Sequence, residues 1–191
     1  MRRFLPLAAV LLLASTGLLG STFSGNSKVK PAASVPLQLT IRADHTSYRM
    51  SQTLVLETRF TNTGNSAIFL YDSELCWNFA RGLVFRVVDN KGEDVRASFL
   101  LDCVPPPPRA GDPYQFIKID PGRFYGFFTD FPIRQFVNGP GDYSIEVSFS
   151  SHLSQEWLSE FFSTEPIRSL PLWTMEKPTL KANRIHFTVT P

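Results

Sequence analysis

Beyond residue 36, apolar and polar positions alternate with a period of two over much of the chain, the pattern of strands with one buried face and one wet face. Over residues 37–43, Leu37, Leu39 and Ile41 fall on one side and Gln38, Thr40 and Arg42 on the other, which predicts a first strand. A polar stretch at 44–52 leads to a second strand at 53–62, where Leu54, Leu56, Thr58 and Phe60 oppose Val55, Glu57, Arg59 and Thr61. Asn62-Thr63-Gly64-Asn65 is turn chemistry, and 67–71 is a short apolar run suited to a central strand. Residues 83–89 and 94–99 flank Asn90-Lys91-Gly92 and read as a hairpin. Pro105 to Pro108 offers no N–H to a sheet, so the chain there is a crossing. Strands resume at 114–119 and, after Asp120-Pro121-Gly122, at 124–130. Past Asn138-Gly139-Pro140-Gly141, the residues Tyr143, Ile145, Val147 and Phe149 alternate with Ser144, Glu146 and Ser148. The last strand, 184–190, sets Ile185, Phe187 and Val189 against His186 and Thr188.

Short strands separated by polar turns predict an all-β fold, an immunoglobulin-like antiparallel β-sandwich of about seven to nine strands, with a closed barrel as the alternative. Gly141-Asp142-Tyr143 stands where such sandwiches carry a tyrosine corner, the other reading being a Tyr that only packs. Residues 151–181 break the rhythm, being far longer than a hairpin loop. Within them Leu153, Trp157, Leu158, Phe161 and Phe162 follow helical spacing behind Ser154, an N-cap residue type, and predict a short amphipathic helix before the last strand. That insertion either covers an edge of the sandwich or forms a patch for a partner.

Ahead of the strands, Arg2 and Arg3 precede an apolar run from Phe4 to Leu19, and 21–30 is polar. This predicts a signal peptide over 1–20, with cleavage between 17 and 34, and a flexible linker over 21–36 before the sandwich of 37–191. The location implied is secreted, periplasmic or cell-envelope, with membrane attachment only if the leader stays uncleaved. No cysteine follows the apolar run, which excludes a lipid-attached lipoprotein. Export makes Cys76 and Cys103 candidates for one disulfide, against the alternative of two buried thiols. The closed loop would contribute about 3 to 4 kcal/mol in the chain-entropy account.

Charge narrows the partners. Lys and Arg number 19 and Asp and Glu 17, and loss of Arg2 and Arg3 with the leader makes them equal. A chain without excess positive charge lacks the field that gathers nucleic acid. Chemistry is equally sparse. His45, His152 and His186 stand on separate elements without metal-ligand spacing, and the acidic residues Asp89, Glu93 and Asp94 around a tight turn lack the ligand alternation of a calcium loop. No nucleophile elbow or phosphate-cradling glycine loop occurs. No metal or cofactor is expected, and the chain reads as a non-enzyme. Carboxylates paired across strands, such as Asp72 or Glu74 with Asp102, are of a type that serves glycosidases, but such pairs are common on surfaces.

With the strands placed, residues 37–149 resemble the BsuPI-type proteinase-inhibitor family. The motifs are Phe60-Thr61-Asn62-Thr63-Gly64-Asn65, Val87-Val88-Asp89-Asn90-Lys91-Gly92, Ile119-Asp120-Pro121-Gly122 and Gly139-Pro140-Gly141-Asp142-Tyr143. The chain is also similar to uncharacterised exported bacterial sandwich proteins in which a Trp-containing segment precedes the final strand, as Leu172-Trp173 does. The resemblance implies an immunoglobulin-like fold and protease inhibition, with no inhibitory residue carried over. The residues themselves point first to an exported binding or envelope module whose partner is another protein or an envelope component. Aromatic side chains anchor interfaces, which singles out Trp77 beside Cys76, and Trp157, Phe161, Phe162 and Trp173 in the insertion. The alternative is an extracellular proteinase inhibitor acting through the proline-bounded loop 102–114.

Overall fold

The computed structural model describes residues 35–75, 82–95, 108–109, 111–162 and 167–191. The predicted leader, most of the linker, Cys76, Trp77, Cys103 and the strand residues 96–99 lie outside the described residues.

Two β-layers pack face to face. The first holds β1 (Leu37–Ala43), β3 (Thr53–Asn62) and β7 (Phe124–Pro132) in the order β1-β3-β7. The second holds β2 (Ser47–Arg49), β10 (Ile185–Thr190), β8 (Gly141–Ser150) and β5 (Gly82–Asp89) in the order β2-β10-β8-β5, and β9 (Leu180–Lys181) pairs with the far end of β8. These orders are the A-B-E and C-F-G arrangements of an immunoglobulin-like sandwich. The core lies where the alternation puts it: Leu54, Leu56 and Phe60 from one layer meet Phe85, Ile145, Val147 and Phe149 from the other. Phe60 packs edge-on against Phe149 at 5.1 Å between ring centres, and Phe85 stacks on Phe131 at 4.9 Å. Across such a core each fully buried apolar side chain contributes about 1.5 to 3 kcal/mol.

The tyrosine corner is present. The Tyr143 hydroxyl, near the start of β8, donates to the carbonyl of Gly139 at 2.8 Å. Burial, and secondarily the Asp89 carboxylate, raises this phenol above its ordinary value, so it remains a donor.

Two features depart from the sequence reading. The polar stretch 44–52 contains β2, which pairs in parallel with β10, so the sandwich is not wholly antiparallel. Its single aromatic, Tyr48, is 1% exposed and sits edge-on to Phe187. The apolar run at 67–71 forms β4 (Ile68–Tyr71), which is not central: it pairs with β6 (Phe116–Ile119) in a separate two-stranded sheet. The hairpin after β5 turns as predicted, with Asp89 Oδ1 accepting from the N–H groups of Lys91 and Glu93, and its return is a bridge from Asp94 to Val88.

The insertion covers that small sheet. Helix α1 (Gln155–Phe161) begins at Ser154, whose hydroxyl accepts from the Trp157 N–H at 3.0 Å. Leu153, Leu158, Phe162, Ile167 and Leu172 form a second apolar cluster with Tyr71 and Phe116. The chain then runs beside β4, Phe69 N–H donating to Pro171 and Trp173 N–H donating to Phe69. Asn183 joins the layers: its side-chain amide accepts from the Ile41 N–H at 2.9 Å and donates to the Ile41 carbonyl at 3.0 Å, as a peptide group would.

Candidate functional site

The polar positions of β8 and β10, with Val84, Arg86 and Val88 of β5, make the outer face of the second layer, and the strand registers align them in rows. In the first row Asp142 Oδ1 accepts from the Thr188 hydroxyl at 2.7 Å, with Ser47 next along in register. In the second, Ser144 Oγ lies 2.8 Å from His186 Nδ1, and Val88 is their neighbour on β5. In the third, Glu146 bridges two cations: Oε2 lies 3.3 Å from Arg86 Nη1, and Oε1 bonds Arg184. Arg86 also reaches Asp94 at 3.4 Å. Above these rows the turn Asn90-Lys91-Gly92 forms a rim, and together they bound an open hollow of about 900 Å³.

The chemistry on offer is that of paired groups. Arg86, Lys91 and Arg184 are balanced by Asp89, Asp142 and Glu146 within the lining. Ser144 and His186 form a hydrogen-bonded pair on the face of a strand that is itself laddered on both sides, to β5 and to β10. Backbone N–H groups beside Ser144 are therefore committed to the sheet, whereas acyl transfer wants donors aimed at a developing oxyanion. Among the described residues no group of three His, Cys, Asp or Glu side chains is placed to hold a metal ion.

The aromatic anchors expected from the sequence are placed differently. Trp173 is 2% exposed in the main core, and Phe162 is 1% exposed in the second cluster. Both are packing residues and present no surface, because the insertion must fill the space over β4 and β6. Trp157 is half-buried, edge-on to Phe162 at 6.2 Å. Phe161 closes the helix with its side chain outside those described, as are Trp77 and both cysteines. Among the described residues the exposed large aromatics are Phe124, Phe128 and Tyr114, the last 93% exposed. Tyr114 tops a 3-10 turn, Pro113–Gln115, capped by Asp112, and Gln115 clamps it by accepting from the Arg109 N–H and donating to the Arg109 carbonyl, each at 2.7 Å.

Beside the insertion lies a buried carboxyl. Glu74, 3% exposed, accepts from the His152 N–H at 2.6 Å and the Ser151 hydroxyl at 3.1 Å through Oε1, while Oε2 has no hydrogen-bond partner among the described residues. Burial raises it above the usual carboxyl range, against the pull of those hydrogen bonds. His152 Nε2 in turn accepts from the Gly82 N–H at 2.8 Å. Asp102, the other half of the proposed carboxylate pair, lies outside the described residues.

Sequence reasoning reached the polar alternation of β8 and β10 but treated it as a solvated face. The missing information was adjacency: β8 and β10 are separated by the whole insertion, so nothing in the linear pattern sets Ser144 opposite His186.

No protein-family model matches the chain, and no curated protein matches it. Among solved structures the chain is similar to the CARDB domain of the PF1109 protein from Pyrococcus furiosus, solved in complex with di-metal ions. The identity is 9% and the TM-score 0.34, over 81% of this chain and 87% of that one. The two packed layers described above make this chain an immunoglobulin-like β-sandwich.

Proposed function

We propose that the chain is an exported, non-enzymatic binding or cell-envelope module that meets its ligand in the hollow on the outer face of β5, β8 and β10. The observation that carries this reading is the three-row ladder of Asp142–Thr188, Ser144–His186 and Arg86–Glu146–Arg184. Side chains already fixed by neighbours lose little freedom on binding, which lowers the cost of recognition. Placed polar groups are what fix a ligand's orientation in a site, and this hollow gathers several of them. Export is supported by the basic and apolar N-terminus, and the non-enzymatic reading by the committed backbone around Ser144.

The test is site-resolved. The isotope-labelled chain is titrated with size-fractionated envelope extract and followed by amide chemical shifts. Shifts concentrated at residues 86–92, 142–146 and 184–188 support the reading, and shifts confined to other surfaces, or none, overturn it. Fractionation of cells expressing the tagged full chain, with protease added outside, tests export.

A second reading, extracellular proteinase inhibition, draws on the exposure of Tyr114 and its Gln115 clamp. The turned geometry of Pro113–Gln115 favours contact at the tip over insertion of an extended, substrate-like strand. Inhibition of any member of a panel of extracellular proteases at micromolar concentration, lost on Tyr114→Ala, would establish this reading over the first.

A further inference from the structure

We propose that the ligand of this hollow is a neutral, hydroxyl-rich oligosaccharide, an inference that rests on the hollow being the binding site. Charge comes first. Each ionic group in the three rows already has a partner of opposite sign or a hydrogen-bond donor: Glu146 with Arg86 and Arg184, and Asp142 with the Thr188 hydroxyl. On the rim Asp89 accepts from two backbone N–H groups, and Lys91 is a single cation set against three lining carboxylates. An anionic ligand would compete with Glu146 for the guanidinium groups, and a cationic one would compete for carboxylates that are already bonded. Either exchanges one ion pair for another with little net return, since exposed pairs contribute only about 0 to 1 kcal/mol.

What remains on offer is the second hydrogen-bonding capacity of each group. Carboxylate oxygens keep an acceptor lone pair after taking one donor, and guanidinium groups keep further N–H donors. With Nδ1 engaged by Ser144, the His186 ring presents Nε2 as a donor or an acceptor according to tautomer. The face therefore offers both donors and acceptors, with three cationic and three anionic side chains in its lining. A hydroxyl both donates and accepts, so a ligand bearing many of them satisfies such a face in either direction.

Scale agrees. The row of Asp142 and the row of Glu146 are four residues apart on β8, about 13 to 14 Å of strand, longer than a single sugar ring. The hollow of about 900 Å³ accommodates linked rings.

The experiment applies the full chain to an array of neutral and acidic oligosaccharides, with inorganic phosphate tested separately by calorimetry. The expected result is retention on neutral glycans, with affinity changing less than about twofold when salt is raised tenfold, since little net charge is neutralised. Asp142→Asn and Glu146→Gln should each weaken binding about tenfold or more. Asp142→Asn keeps an oxygen for Thr188, so it remains a folded reporter if Glu146→Gln, which leaves two guanidinium groups short of charge, does not fold. Binding only to acidic glycans or phosphate, with steep salt dependence and sensitivity to the same variants, overturns the neutral-ligand proposal while leaving the hollow as the site. Binding indifferent to both variants, or no binding to any probe, overturns the proposal, and amide shifts lying elsewhere in the extract titration then remove the site as well.

Discussion

Replacing Gly82 with Ala should destabilise the chain far more than replacing Gly92 with Ala, although both glycines have positive φ, +71° and +82°. A left-handed conformation costs an L-residue about 1 to 2 kcal/mol, and both variants incur that. Around Gly92 an added Cβ meets nothing within 4 Å. At Gly82 it would lie 2.2 Å from the Glu74 carbonyl oxygen and 3.1 Å from its carbon, so backbone must move. Movement there pulls the Gly82 N–H from His152 Nε2 and disturbs the Glu74 carboxylate on the His152 N–H. Two lost hydrogen bonds at about 1 kcal/mol each, with packing strain of about 1 to 3, bring Gly82→Ala to roughly 4 to 7 kcal/mol. Domain stability is about 5 to 15 kcal/mol, so this variant approaches unfolding. Urea denaturation followed by tryptophan fluorescence, with calorimetry beside it, reads the difference. For a domain of this size Gly92→Ala should lower Tm by about 2 to 8 °C and Gly82→Ala by about 8 to 28 °C. Equal losses, within about 1 kcal/mol, would refute the close approach of the Glu74 turn to β5.

Other expectations follow from single groups. Thr58 is fully buried and its hydroxyl has no partner among the described residues, so the shape-matched Thr58→Val should raise stability by about 1 kcal/mol in urea denaturation; a loss would mean the hydroxyl is satisfied. Tyr143→Phe removes the corner hydrogen bond to Gly139 and should cost about 1 kcal/mol with the fold retained by circular dichroism. For Glu74, the raised folded value sets the sign: its stabilising contribution is fully present below the ordinary carboxyl value of 4.5 and is lost as pH rises through the raised one. Relative to Glu74→Gln, the parent chain should therefore lose stability from about pH 4.5 upward, and parallel stability-against-pH curves for the two would refute the assignment.

Much of the sandwich was readable because half-buried strands impose a strict period. Leu37–Ala43 and Thr53–Asn62 form with the bounds that the alternation predicts, and the Ser154 cap and helical face of the insertion form as expected. β2 escaped because three residues with one apolar side chain carry no period, and only Tyr48 in a polar stretch marks it. β4 was legible as a strand but not in its place, since its partners, β6 and the chain near Leu172, are distant in sequence. The candidate site was the least legible part. Its side chains occupy the polar positions that periodicity assigns to solvent, and only the pairing of β8 with β10 turns Ser144, Glu146, Arg184 and His186 into a single surface. The aromatic residues of the insertion were misleading in the opposite sense: Phe162 and Trp173 look like anchors in the linear pattern and instead close two cores.

β1 borders its layer, and bordering strands are where foreign chains add and fibres begin. Asn183 occupies both hydrogen-bonding groups of Ile41 midway along that border with a side-chain amide that has no successor residue to extend the ladder. A visiting strand would find its register interrupted at that point. Such a terminator guards the border against self-association while leaving the opposite layer unobstructed.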